Sequence, residues 1–332
     1  MPATDYGQIT SITRRLFMPK LVDNILDNSF LLGRLLDKAK TEKGGTKIVQ
    51  PVKYAKNTAS GSYSGLDTFA TNQVQTRTAF EFDWKQYYIS IVLDGMSKAK
   101  NAGQSKVIDH VKTSMEEAST DLRDAMSTDL YQDGTGNSSK EMTGLVAAVD
   151  DGTNVAAYGG ITRSADVWAK ANYTASIGSL ALDDLATMYD SCKSGVEVPT
   201  VLVTTEAVWS VYEALLTPTV RHNANMDGYP KLGRSGSPER GASQGFNSLF
   251  FRGTPVVADE YCTSGYIYFL NENFLDFKIL PNAKYKSDKH GFAITDFKEP
   301  TNQDGEVAQV LWYGNLVCSQ PRRQGVLRGV TA

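Results

Sequence analysis

The chain has 332 residues, 41% of them hydrophobic, enough for one large core or two lobes. Its 34 basic and 37 acidic residues give a formal charge of −3, a near-balance that argues against a protein whose main task is gripping nucleic acid. Cys192, Cys262 and Cys318 are far apart and form no CxxC, which predicts reduced thiols in a cytoplasmic setting. No leader pattern opens the chain, and no apolar run approaches the ~20 residues that cross a bilayer.

Residues 1–40 read as an arm of short helices. Ile9, Ile12 and Leu16 form a first apolar patch, Leu21, Val22, Ile25 and Leu26 a second, and Phe30, Leu31, Leu32, Leu35 and Leu36 a third. The segment is too apolar for water and too short to bury itself, so it requires a covering surface in its own body or in a neighbour.

Residues 41–93 read as an extended β-hairpin. Thr46 to Tyr54 alternates. From Val74 the pattern is cleaner, with Thr76, Thr78, Phe80, Phe82 and Trp84 on one face and Gln75, Arg77, Ala79, Glu81 and Asp83 on the other. A polar, glycine-bearing tip from Asn57 to Asn72 carries Tyr63, Leu66 and Phe69. A two-stranded ribbon is marginal alone in water, so this one must lie on its own domain or on another subunit. Its second strand continues through Tyr87, Ile89, Ile91 and Leu93.

Gln104 to Tyr131 predicts one long helix. Val107, Ile108, Val111, Met115, Leu122, Met126 and Leu130 recur at steps of three and four, with Ala118 and Ala125 between them, and Gly134 and Gly136 stop it. At ~1.5 Å per residue it spans roughly 40 Å, a backbone on which other elements are laid. Residues 141–275 alternate helix and strand patterns and read as a mixed lobe, with a long loop at 221–245 that suggests an exposed working edge. Residues 276–332 return to strands: Phe292–Phe297 pairs with Val307–Leu316 through the turn at Asn302–Gly305.

This order of parts resembles the major capsid proteins of tailed double-stranded DNA bacteriophages. Local matches are Asp83-Trp84-Lys85-Gln86, Asn101-Ala102-Gly103, Leu130 to Gly134, Gly144-Leu145, Tyr158-Gly159-Gly160-Ile161-Thr162-Arg163-Ser164, Gly253 to Asp259 and Asn315 to Gly325. The resemblance spans essentially the whole chain. It implies an α+β fold divided into an N-terminal arm (1–40), an extended hairpin loop (41–93), a peripheral domain with a spine helix (94–140), an axial domain (141–275) and C-terminal strands returning to the peripheral domain (276–332). It implies self-assembly as pentamers and hexamers into an icosahedral shell around double-stranded DNA, in the virion, after assembly in the host bacterial cytoplasm. A ribbon and an arm without evident cover suit a chain that completes its fold among neighbours.

The same resemblance sets the expected contacts. Tyr63, Leu66 and Phe69 of the tip, with Arg77, Phe80 and Trp84 of the ribbon, would touch the adjacent subunit. Arg234 and Arg240 of loop 221–245 would lie where axial domains meet. Since the chain reaches its arm directly after Met1, a separate scaffolding protein is expected, beside a portal protein and a decoration protein. Lys53 and Lys56 lack the surroundings of the loop lysine that some family members cross-link.

Other chemistry is set aside. Gly241-Ala242-Ser243-Gln244-Gly245 matches the hydrolase elbow, but a loop precedes it instead of a buried strand. Gly228 to Ser235 approximates a phosphate loop, with Arg234 in place of Lys and Pro230 removing an amide donor. His110, His222 and His290 lack metal-ligand spacing, Glu116-Glu117 and Asp183-Asp184 read as solvated faces, and Arg14-Arg15 and Arg322-Arg323 as small basic points. No catalytic, metal or cofactor site is expected. The competing readings are an encapsulin-like nanocompartment shell, an enzyme built on Ser243, and a smaller virion component.

Overall fold

The structure is a computed structural model that describes residues 30–96, 104–216, 249–302 and 304–331, with side chains from residue 113 onward in the long helix. Phe30–Asp37 is the first described helix, and Phe30, Leu31, Leu32, Leu35 and Leu36 are all buried in the chain's own core. The third apolar patch of the expected arm therefore finds its cover at home, and residues 30–40 belong to the body. The first two patches lie outside the described residues. Polar bonds lock this helix in place: Arg34 Nε and Nη2 donate to the two Glu272 oxygens at 2.5 and 2.6 Å, and Lys38 Nζ adds a third bond at 3.0 Å. The Glu272 side chain is 1% exposed. Burial alone would raise its carboxyl pKa, but the hydrogen bonds and charges of Arg34, then Lys38, outweigh that and hold it below the ordinary value.

The first sheet is built on one long strand, β15 (Gly305–Cys318). Along one edge it pairs antiparallel with β4 (Lys85–Asp94), from Gly305↔Asp94 to Gly314↔Lys85. Along the other it takes β13 (Leu275–Ile279) and the short β14 (Ala293–Ile294), and β1 (Lys40–Thr41) adds in parallel to β13. The alternation read from the sequence is real in β4: Ile91 and Leu93 point inward while Tyr88 and Val92 are exposed. Trp312, fully buried, sits at the centre of this layer among Tyr87, Phe277 and Phe292, and its Nε1 donates to the His290 carbonyl at 3.0 Å. A Cβ on Gly314 would come within 2.7 Å of the indole ring, so only glycine fits there. His290 lies in the loop after β13 and is buried against Leu36 and Asp37.

The long helix spans Gln104–Leu130 and packs along β4. Met115, Ala118, Leu122, Met126 and Leu130 are buried as expected. Ala125 is exposed, and Ser119 and Ser127 complete the stripe instead. Ser119 Oγ satisfies itself on the Glu116 carbonyl at 2.7 Å, so a hydroxyl can occupy a core position without leaving an open donor. Tyr87 ties strand to helix: its hydroxyl donates to Asp129 at 2.6 Å and accepts from the Met142 amide at 2.9 Å.

The second sheet has six strands: β10 (Leu249–Phe251), β11 (Thr254–Ala258), β9 (Val201–Thr204), β12 (Ile267–Leu270), β16 (Gly325–Leu327) and β7 (Asn172–Thr174), in that order. Helices Leu182–Cys192 and Glu206–Leu215 cover one face and share a second core with Val208, Tyr212, Val256 and Phe269. The chain end departs from expectation. β13 and β15 join the first sheet, but β16 pairs with β12 and β7 in the second, and Val330–Thr331 pairs with Gly178–Ser179. Residues 325–331 thus pair with strands of the second lobe instead of returning to the first sheet. Gln324 marks the crossing: its amide exchanges bonds with the Asn271 backbone at 2.8 and 3.1 Å.

The buried Glu272 clamp generates the first prediction. Glu272→Gln leaves Arg34 short of its counter-charge and lowers stability by about 3 kcal/mol in urea titration. Because the carboxyl is depressed in the folded state, its stabilisation is full above the unfolded value of about 4.3 and is lost as pH falls through the folded value, so the wild-type advantage over the variant shrinks in acid.

Candidate assembly surface

The ribbon is anchored at its base and open at its end. β2 (Ile48–Lys53) pairs with β3 (Arg77–Phe82) from Ile48↔Phe82 to Lys53↔Arg77, shorter than the sequence pattern suggests. Phe80 and Phe82 turn inward onto Tyr158, with ring centroids at 5.5 and 5.0 Å, and Phe80 also meets Trp168 at 5.5 Å. The Glu81 amide donates to the Gly159 carbonyl at 2.9 Å. Gly159 and Gly160 turn a tight hairpin between Ala157–Tyr158 and Ile161–Thr162 with φ of 55° and 78°. A Cβ at Gly159 would lie 2.7 Å from that of Phe80, so the close approach of ribbon and hairpin depends on glycine.

Beneath this contact lies Arg163, fully buried. It donates to the carbonyls of Ala147, Val155 and Ala169 at 2.6, 3.1 and 3.2 Å, faces the Tyr158 ring at 5.0 Å and stands 3.8 Å from Asp150. Burial pulls the Arg163 pKa down, with the nearby Tyr158 hydroxyl and the Asp150 carboxylate opposing it. For Asp150 the cost of burial is outweighed by bonds from Asn154 and the amides of Val155, Gly152 and Asn154, which hold the carboxyl below its ordinary value. Arg163 lies within the Tyr158 to Ser164 match, and nothing in the sequence pattern assigns it a role. No periodicity marks a buried charge, and only the flanking Gly159-Gly160 signals that the backbone is special here.

Beyond the base the tip is ordered by its own polar atoms. Asn57 Oδ1 accepts from the Ala59 amide at 2.9 Å, and Asp67 Oδ2 from the Ser64 amide at 2.7 Å. Tyr63 and Phe69 pack edge to face at 5.0 Å. Even so, Tyr63 is 66%, Phe69 64% and Leu66 105% exposed. Burying each would be worth about 1.5–3 kcal/mol. An ordered loop displaying three large apolar groups has the character of a contact surface awaiting cover.

Of the other expected contact residues, Arg77 is exposed on the ribbon beside the tip. Phe80 is a correction: at 0% exposure it belongs to the chain's own core and cannot face a neighbour. The alternation predicts correctly that Phe80 and Phe82 share a face, but Phe80 on that face meets Tyr158 and Trp168 of its own chain rather than another subunit. Trp84 is also engaged at home, half-buried, with Nε1 donating to the Gly45 carbonyl at 2.8 Å. Arg234 and Arg240 lie outside the described residues, as do Arg14-Arg15, His222, Gly228–Ser235 and Ser243.

Among the described residues no group of His, Cys, Asp and Glu is arranged to hold a metal ion, and no helix is long and apolar enough to cross a membrane. Cys192, Cys262 and Cys318 are free and buried; burial pushes Cys192 and Cys318 up to about 12 and Cys262 well above the usual thiol range, so all three are poor nucleophiles.

No family model and no curated protein matches the sequence. Solved structures do match. The capsid asymmetric unit of cyanophage A-1(L) aligns with TM-score 0.67 and 17% identity, covering 91% of this chain and 92% of that one. The capsid of a native GTA particle aligns with TM-score 0.58 and 10% identity, covering 90% of each chain. The holo-SrpI encapsulin complex of Synechococcus elongatus PCC 7942 aligns with TM-score 0.54 and 13% identity, covering 95% of this chain and 89% of that one. The chain has the mixed α and β fold common to these phage capsid and encapsulin subunits.

The hub under the ribbon yields the second prediction. Arg163→Met removes one of the two guanidinium groups beside Asp150 and leaves the carbonyls of Ala147, Ala148, Val155 and Ala169 without this donor. We expect a loss of about 3–5 kcal/mol by chemical denaturation, and an unchanged midpoint would show that the hub is dispensable.

Proposed function

We propose that this protein is the structural subunit of a tailed-phage capsid, assembling as pentamers and hexamers into an icosahedral shell that encloses double-stranded DNA. The fold supports this reading, and one observation carries it: the tip presents Tyr63, Leu66 and Phe69 to water while its base is fixed in the chain's own core. A rigid base and an apolar end make a projection built to reach a neighbour. The contact is heterologous, since the tip of one copy meets a different surface of the next, and such contacts repeat until a ring closes. Interfaces of this permanent kind bury ~2,000 Å² or more, far beyond what three side chains supply, so Arg77 and the ribbon's outer face are drawn into the same contact.

The role is non-catalytic. Partners in this reading are further copies of the chain, a portal protein, a separate scaffolding protein and a decoration protein, and the location is the virion after assembly in the bacterial cytoplasm. The second reading is an encapsulin-like shell holding a protein cargo, favoured by the alignment to an encapsulin subunit over 95% of this chain. Nucleic acid inside purified particles decides for the first, a packaged enzyme for the second.

Electron microscopy of the purified protein is the test. Closed particles are expected from the wild type. The double variant Leu66→Asp and Phe69→Asp should form none at equal concentration, while the stability of its isolated subunits stays within about 0.5 kcal/mol, because both side chains are exposed before assembly. A wild type that remains monomeric at high concentration, or a variant that still closes shells, contradicts the reading.

A further inference from the structure

Two basic segments meet at one end of the first sheet. Residues 37–47 and 278–291 together hold eight lysines against Asp37, Glu42 and Asp288, in a chain whose net charge is −3. The parallel pairing of β1 with β13, Lys40↔Lys278 and Thr41↔Ile279, sends both segments out of the sheet at the same end. The Glu42 amide extends this pairing onto the Ile279 carbonyl at 2.9 Å. The second segment then folds back: His290 Nδ1 lies 3.3 Å from the Leu36 carbonyl, and Lys289 Nζ lies 3.6 Å from Asp37.

The acids here do not neutralise the outer lysines. Glu42 is held by Lys278 at 2.7 Å, and Asp37 is shared by Lys289 and His290. Asp288 accepts from the Phe292 and His290 amides at 2.8 and 3.1 Å and is directed into the loop. Lys38 and Lys40 are matched by Glu272 and Asp276, and Lys47 by Glu81. Lys43, Lys284 and Lys286 remain, exposed and outside these pairs. The loop that presents two of them is pre-organised. Asn282 Oδ1 accepts from the Lys284 and Tyr285 amides at 2.8 and 3.0 Å, and the Asn282 amide donates to Ser287 Oγ at 3.0 Å. Lys284 Nζ stands 5.2 Å from the centroid of the Tyr285 ring, which holds the ammonium without cancelling its charge.

We infer that this end of the sheet, centred on Lys43, Lys284 and Lys286, is a contact surface for the phosphate backbone of duplex DNA. Three exposed ammonium groups outside the ion pairs, on two segments that leave the sheet at the same end, fit a regularly spaced polyanion and carry no means of reading bases. The identification of that polyanion as DNA rests on the shell reading, and it makes this end of the sheet the one that faces the lumen.

The test measures binding of a fluorescent duplex to the full-length protein at assembly-free concentration and rising salt. The wild type should bind with a slope of log affinity against log salt of about −3, near one phosphate per lysine. The triple variant Lys43→Glu, Lys284→Glu and Lys286→Glu should lose more than tenfold in affinity. A control with the same charge change, Lys140→Glu, Lys193→Glu and Lys298→Glu at exposed positions elsewhere, should keep most of it. A wild type that does not bind at low salt, a triple variant that binds like the wild type, or a control that loses as much overturns the inference. An acidic peptide that binds as tightly as the duplex with the same sensitivity to the variant also overturns it, in favour of a protein partner. Micrographs of the same preparations separate the two claims: shells without duplex binding sink the surface alone, and duplex binding without shells sinks the shell alone.

Discussion

Three apolar side chains kept in water by an ordered loop are the constraint on which the account turns. In the tip, Asn57 and Asp67 each accept a local backbone amide and Tyr63 packs edge to face on Phe69, yet all three apolar side chains stay mostly exposed, Leu66 entirely so. The apolar surface therefore stays exposed at a cost of several kcal/mol relative to a covered state, roughly 1.5–3 for each side chain. Folding alone does not recover that free energy; association does.

The rest of the molecule holds the ribbon where it can be used. β3 passes directly into β4, so the ribbon continues an edge strand of the first sheet, and that strand is fixed by β15 on one side and the long helix on one face. Phe80 and Phe82 bolt the ribbon base to Tyr158, the hairpin carrying Tyr158 is held by Arg163, and Arg163 reaches the carbonyls that open the second lobe. At the far end of the helix, Tyr131 donates to buried Asp259 at 2.9 Å and Asp124 accepts from Tyr261 at 2.5 Å, tying helix to second lobe. The ribbon base is thus linked to both sheets through packed side chains.

Much of this was legible in the sequence, for reasons that differ by element. The long helix was readable because Met115, Leu122, Met126 and Leu130 keep one period for many turns, and its end was readable from Gly134. The ribbon was readable from alternation through Phe82, and its glycine-bearing polar tip from composition. What alternation could not reveal was the identity of the surface each face would meet. Phe80 looks the same whether its cover is Tyr158 of the same chain or a second subunit. The same holds for the arm: Leu31, Leu32, Leu35 and Leu36 announce a need for burial and say nothing about which surface, their own body or a neighbour, supplies it. The clamps at Glu272 and Arg163 join residues separated by long stretches of chain or set into loops, so no local pattern encodes them, and the crossing of residues 325–331 into the second sheet depends on pairing partners far away in sequence.

The most direct measurement is the thiol reactivity of a Leu66→Cys variant, followed as subunits assemble. The native cysteines are buried with raised pKa values and give a silent background, so modification reports position 66 alone. The account predicts rapid modification in isolated subunits and at least a tenfold slower rate once particles have closed, because the tip is then covered by another copy. Equal rates in subunits and in closed particles would show the tip still in water, and would contradict the claim that this surface builds the shell.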